Sequence, residues 1–83
     1  MKKYKLFLDL TLIMHRLKRV RLDEYNSRFP IVFIDANDPD AACNLCYIEI
    51  TQKIMKSKLS EKEKIALCVD LLKDMRISKV FNP

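Results

Sequence analysis

Glycine is missing altogether from the 83 residues. That removes every glycine-rich phosphate loop and dinucleotide fingerprint, because both need a backbone that no Cβ obstructs. It also removes the usual residue for left-handed helix ends and tight hairpins. Asn26, Asn37 and Asn82 are the residues left that take such conformations with little strain. A fold of helices and short connections tolerates this lack better than a hairpin-rich β fold does. Histidine occurs once, at His15, and no nucleophile or carboxylate pair is nominated to work beside it. No GxSxG is present either, so the chain reads as a non-enzyme without catalytic residues.

Cysteine is sparse and odd in number: Cys43, Cys46 and Cys68. An odd count without a secretory leader argues for a reducing compartment. The start, MKKYKLFLDLTLIMHR, is charged and then apolar, but HRLKRVR follows where a leader needs small residues for cleavage. Nor is there a run of about 20 apolar residues to span a bilayer. Asp9 interrupts the longest run and Arg16 ends it. These features predict a soluble, cytoplasmic protein with no membrane span.

What is present is apolar content of 49%, enough for a globular core in one domain covering 1–83. Net charge is +5. Residues 1–28 hold eight Lys/Arg against three Asp/Glu, so the excess lies in the first third of the chain. Within Tyr4–Leu22, Leu6, Leu10, Ile13, Leu17 and Val20 recur at steps of three and four, which predicts one face of a long helix. Phe7 and Met14 widen that face. Tyr4, Leu8 and Leu12 fall nearly opposite and make a second apolar side. A helix apolar on two sides sits inside its own bundle, in a dimer or against a partner.

Further along, Pro30 and the run Ile31–Ile34 mark a short element near 28–35, either a lone strand or a helical turn. Asp38-Pro39-Asp40 starts a helix: a side-chain cap, a proline where no N–H is needed, and an acid near the positive end of the dipole. Ser60 and Glu63 match the reciprocal capping box of another. In that last helix Ile65, Cys68, Val69, Leu72 and Met75 are expected to form the core face. The expected fold is all-α: a small three- to four-helix bundle with a long N-terminal helix over 3–24 and further helices over 39–57 and 61–77.

Cys43 and Cys46 have zinc-ligand spacing, and Cys68 with His15 would complete four ligands. The pair lies inside a predicted helix and not on a turn, so buried apolar thiols are the better reading, with no metal and no cofactor. Residues 35–46 resemble a calcium loop only faintly, lacking glycine at the sixth position and glutamate at the twelfth.

The strongest functional feature is Arg16, Lys18, Arg19 and Arg21, four positive charges within six residues. Such a cluster repels itself unless something negative lies near. A solvated face balanced by nearby acids, an acidic protein surface and nucleic-acid phosphate all fit it. The cluster winds around the helix and offers no Asn or Gln for base edges, which counts against sequence-specific DNA reading. Together with the stripe Tyr4, Leu8 and Leu12, it predicts a partner-binding helix that meets another protein or a second copy of the chain.

From KYKLFLDLTLIMHRLKR to DLLKDMRISKVFNP, this small, basic, glycine-free chain resembles the early lysis-inhibition accessory (RIII) family of T-even phages. The resemblance implies a cytosolic antiholin that binds the cytoplasmic part of the phage holin in the host cytoplasm and delays lysis. The expected function is therefore a small non-enzymatic regulator acting by protein–protein binding. Its rivals are a nucleic-acid-binding protein using residues 16–21 and a phage inhibitor of another host protein.

Overall fold

The computed structural model describes every residue except Arg21, Asp23, Glu24 and Pro83. It overturns the all-α bundle. The chain runs β1 (Lys2–Asp9), α1 (Met14–Leu17), a 3-10 turn (Lys18–Val20), β2 (Ile31–Ala36), α2 (Pro39–Met55), α3 (Glu61–Asp74) and β3 (Arg76–Phe81). The strands form a three-stranded antiparallel sheet in the order β2-β1-β3, with helices over one face.

The opening segment is a strand because its first half alternates. Tyr4, Leu6, Leu8 and Leu10 point into the core, while Lys5, Phe7 and Asp9 remain half-exposed on the other face. The step-of-three rhythm begins only at Leu10, and from there Ile13, Met14 and Leu17 are buried by a single short helical turn. Leu10 belongs to both rhythms. Over its described part, residues 3–20, the predicted helix over 3–24 is thus replaced by a strand and a short helical segment of different period joined at a shared leucine; Arg21, Asp23 and Glu24 lie outside the described residues.

β1 is the central strand. Its register with β2 runs from Lys2 opposite Ala36 to Phe7 opposite Ile31. Two more backbone bonds extend it, Leu8 N–H to the Pro30 carbonyl at 3.0 Å and Leu10 N–H to the Arg28 carbonyl at 2.8 Å. On the other side Lys5, Leu6 and Phe7 face Phe81, Val80 and Lys79; beyond a bulge at Ser78, Leu8 and Asp9 face Ile77 and Arg76. The Ser78 hydroxyl donates to the Phe7 carbonyl at 3.0 Å. No neighbouring strands are joined by a tight hairpin, since residues 10–30 separate β1 from β2 and β3 arrives from the far end. A sheet wired this way does without glycine turns. The C-terminal segment Arg76–Phe81 supplies the third strand, whose start the expected last helix over 61–77 overruns.

The two later helices begin where their caps predicted. The Asp38 carboxylate accepts the Ala41 N–H at 2.8 Å, with Pro39 in the first turn. The Ser60 hydroxyl accepts the Glu63 N–H at 3.2 Å and lies 3.1 Å from the Glu63 carboxylate. The last helix turns differently from the face expected for it. In α2 the buried row is Ala42, Cys46, Ile50 and Ile54. In α3 it is Leu67 and Leu71, followed by Met75 at the helix end. Ile65, Val69 and Leu72, expected in the core, face outward.

A single cluster joins these elements. Tyr4, Leu6, Leu8, Val32 and Ile34 of the sheet meet Cys46, Ile50 and Ile54 of α2, Leu71 of α3 and Tyr25 of the long connection. Removing a side chain at its centre removes transfer energy and leaves a cavity. Leu6→Ala is therefore expected to cost about 2–5 kcal/mol, whereas Leu12→Ala, outside the core, stays within about 0.5 kcal/mol. Urea unfolding of both variants checks this; equal losses would contradict the strand assignment.

Candidate binding surfaces

The residues nominated from the sequence are dispersed by the fold. Tyr4 and Leu8 are 4% and 1% exposed, so they serve the core and present no docking stripe. Leu12 alone of that trio faces solvent, at 64%. The stripe required a helix; in a strand, even-numbered Tyr4 and Leu8 share the inward face with Leu6.

The basic cluster is largely engaged within the chain. The Arg16 guanidinium lies 3.0 Å from the Asp70 carboxylate and 3.6 Å from that of Asp74. Arg19 donates to the Glu63 carboxylate at 3.0 Å. These pairs fasten α1 and the 3-10 turn to α3. All are partly exposed, so each contributes at most about 1 kcal/mol. Lys18 is exposed on the 3-10 turn, and Arg21 lies outside the described residues. The negative partner that the cluster called for is thus supplied in good part by α3. A contiguous nucleic-acid footprint over residues 16–21 loses two of its charges to these pairs.

The thiols remain free. Cys43 and Cys46 lie on α2 and Cys68 on α3. Among the described residues no group of three or more His, Cys, Asp or Glu side chains is placed to hold a metal ion. His15 is exposed on α1. Asp38, in the faint calcium-loop segment, is occupied as a helix cap. Burial, and then the nearby Glu49 and Cys43, pushes the Cys46 thiol up to about 12. Tyr25 is raised by the same burial, and among the described residues its hydroxyl has no hydrogen-bond partner. The Lys53 ammonium stands 5.3 Å from the centre of its ring. At the sheet end Asp9 is held below the usual carboxylate range by the Thr11 hydroxyl and N–H, at 2.6 and 3.0 Å.

Two surfaces stand out that the sequence reading did not single out. The first is the outer side of α3, where Ile65, Val69 and Leu72 are 59%, 55% and 67% exposed. Their spacing of four and three sets them in one row. Lys62 and Lys73 border the row along one side by the same helical geometry. The second is the outer face of the sheet, where Phe7, Ile31, Phe33 and Phe81 stand among Lys5 and Lys79. The signals were present: α3 is apolar on two sides, and the odd-numbered positions of β1 set Phe7 among Lys3, Lys5 and Asp9. Each was masked by assigning the apolar residues to the wrong period or row. Among the described residues no helix is long and apolar enough to cross a membrane.

The buried thiol predicts a pH dependence. The folded chain keeps the Cys46 proton up to about pH 12, while an unfolded thiol releases it near 9.0. Above 9.0 the unfolded state therefore binds fewer protons, and stability falls as pH rises. Below that value the group contributes no slope. Tyr25 acts in the same direction at higher pH. Urea midpoints at pH 8 and pH 10.5 should drop by an amount that Cys46→Ala reduces, and iodoacetamide should modify Cys43 and Cys68 before Cys46. Comparison with protein-family models, with curated proteins and with solved structures yields no match to this chain.

Proposed function

We propose that this protein is a non-enzymatic regulator that works by binding another protein, with the outer row of α3 as its contact. The observation that carries the reading is Ile65, Val69 and Leu72 together on the solvent side of a helix whose opposite side already fills the core. An apolar row repeating at steps of three and four is the form in which one helix presents itself to another. It supplies affinity through desolvated aliphatic anchors, while the bordering Lys62 and Lys73 orient a partner helix that carries acidic residues on its flank.

The contact thus moves from the opening segment to the penultimate element. Binding acts by occupancy, or by favouring the one state of the partner whose helix fits the row. The resemblance to the lysis-inhibition family makes the cytoplasmic part of a holin the first partner to test, and antiholin action the corresponding role.

The experiment titrates that holin segment against the wild-type chain, Val69→Asp and Leu72→Asp by calorimetry. Both side chains are exposed, so the variants should melt within a few degrees of wild type. The expected result is a loss of affinity of about tenfold or more in each variant. Undiminished binding by folded variants would remove α3 from the reading. Absence of binding by the wild-type chain would remove the holin.

A further inference from the structure

From the outer face of the sheet we infer that the protein has a second surface, a platform for single-stranded nucleic acid built on Phe7, Phe33 and Phe81 with Lys5 and Lys79. The buried residues of the sheet and the helices packed on them lie on the opposite face; Phe33, on the edge strand, also borders Leu45 and Glu49 of α2. Phe33 is 56% exposed and Phe81 36%.

The pairing register sets the pattern. In one row across the strands Lys5 lies between Phe33 and Phe81; in the next, Phe7 lies between Ile31 and Lys79. Lys5 is therefore flanked by two rings, and Phe7 and Phe81 each neighbour a lysine. Phe33 and Phe81 are two strands apart, about 10 Å at ordinary strand spacing. The Phe7 and Phe81 rings stack, with centroids 5.5 Å apart and planes at 18°. The Lys5 ammonium stands 5.3 Å from the Phe7 centroid and 5.7 Å from that of Phe81, and Lys79 stands 5.3 Å from Phe81. The carboxylates nearest this face are Asp35, one row beyond Phe33, Asp9, one row beyond Phe7, and Glu49 of α2, which borders Phe33 at the sheet edge; Lys5 and Lys79 stand on the far side of the rings from Glu49.

An unpaired strand offers what such a face takes. Its bases have flat π-faces to stack on phenylalanine, and its phosphates meet lysine. A duplex offers phosphate without free base faces. A second copy of the chain fits less well, because two such faces pressed together would bury Lys5 and Lys79 of both copies against one another. The lysines also distinguish this face from the aliphatic row of α3, whose centre carries no charge.

The test is fluorescence anisotropy with labelled dT12, U12 and a 12-base-pair duplex in low salt, using the full chain. Both single strands should bind more tightly than the duplex, and their ratio tells DNA from RNA preference. Phe33→Ala and Phe81→Ala should each weaken single-strand binding at least about fivefold. Lys5→Gln should lower the slope of log affinity against log salt by about 0.7. Val69→Asp, on the opposite layer, should leave oligonucleotide affinity unchanged, which keeps this surface separable from the α3 contact. Equal duplex binding, unaltered affinity in a folded Phe33→Ala variant, or equal affinity for an oligoglutamate peptide would overturn the proposal. So would a dimer, seen by sedimentation, that Phe33→Ala dissociates.

Discussion

The structure depends on burying the inward side of its central strand. Tyr4, Leu6, Leu8 and Leu10 form one apolar line, and each element finds its place by covering it or extending it. β2 and β3 widen the line into a sheet, and α2 lays Cys46, Ile50 and Ile54 across it. A fully buried leucine contributes roughly 1.5–3 kcal/mol by transfer from water. In a chain this short, a few such residues decide whether a folded state exists at all. The polar contributions are smaller and sit at the margins: caps at Asp38 and Ser60, and the Arg16 and Arg19 pairs that hold the connection against α3.

Two layers and no third have a direct consequence for function. The sheet has helices on one side only, and α3 has core on one side only. Both outer sides nevertheless carry large apolar residues, phenylalanines on the sheet and aliphatics on the helix. Scattered apolar residues on a surface need no explanation, but residues ordered by register or by helical repeat form coherent faces. The two faces differ in chemistry. One intersperses rings with cations; the other is a plain aliphatic row with cations beside it. That difference is why they are assigned different partners.

The starts of the two later helices were legible in the sequence; the strands, and the inward row of α3, were not. Helix starts at Asp38-Pro39 and Ser60 could be read because capping is local chemistry, complete within four residues. The opening segment could not be read this way. Leu6, Leu10, Ile13 and Leu17 satisfy a helical repeat, and Tyr4, Leu6, Leu8 and Leu10 satisfy alternation. Only pairing with residues 31–36 and 76–81 decides between the two, and such pairing is not a local property. The candidate surfaces failed for the same reason. Tyr4 and Leu8 were assigned outward by the wrong period, and Ile65, Val69 and Leu72 inward by choosing the wrong one of two apolar rows. The charges at Arg16 and Arg19 were conspicuous, but their partners Asp70 and Glu63 lie far along the chain.

The strand order also bears on synthesis. The central strand leaves the ribosome first among the elements, yet one of its two neighbours is residues 76–81. Until residues 76–81 have emerged, β1 has at most one flank protected. The other presents open N–H and C=O groups beside bare leucines, the condition under which nascent chains pair wrongly with each other. Closure then waits on a contact spanning some seventy residues, from Phe7 to Ser78 and Lys79, which favours slow, late locking over early local collapse. Lysines at 2, 3 and 5 give the waiting strand a repulsive charge, a safeguard against its own copies during that interval.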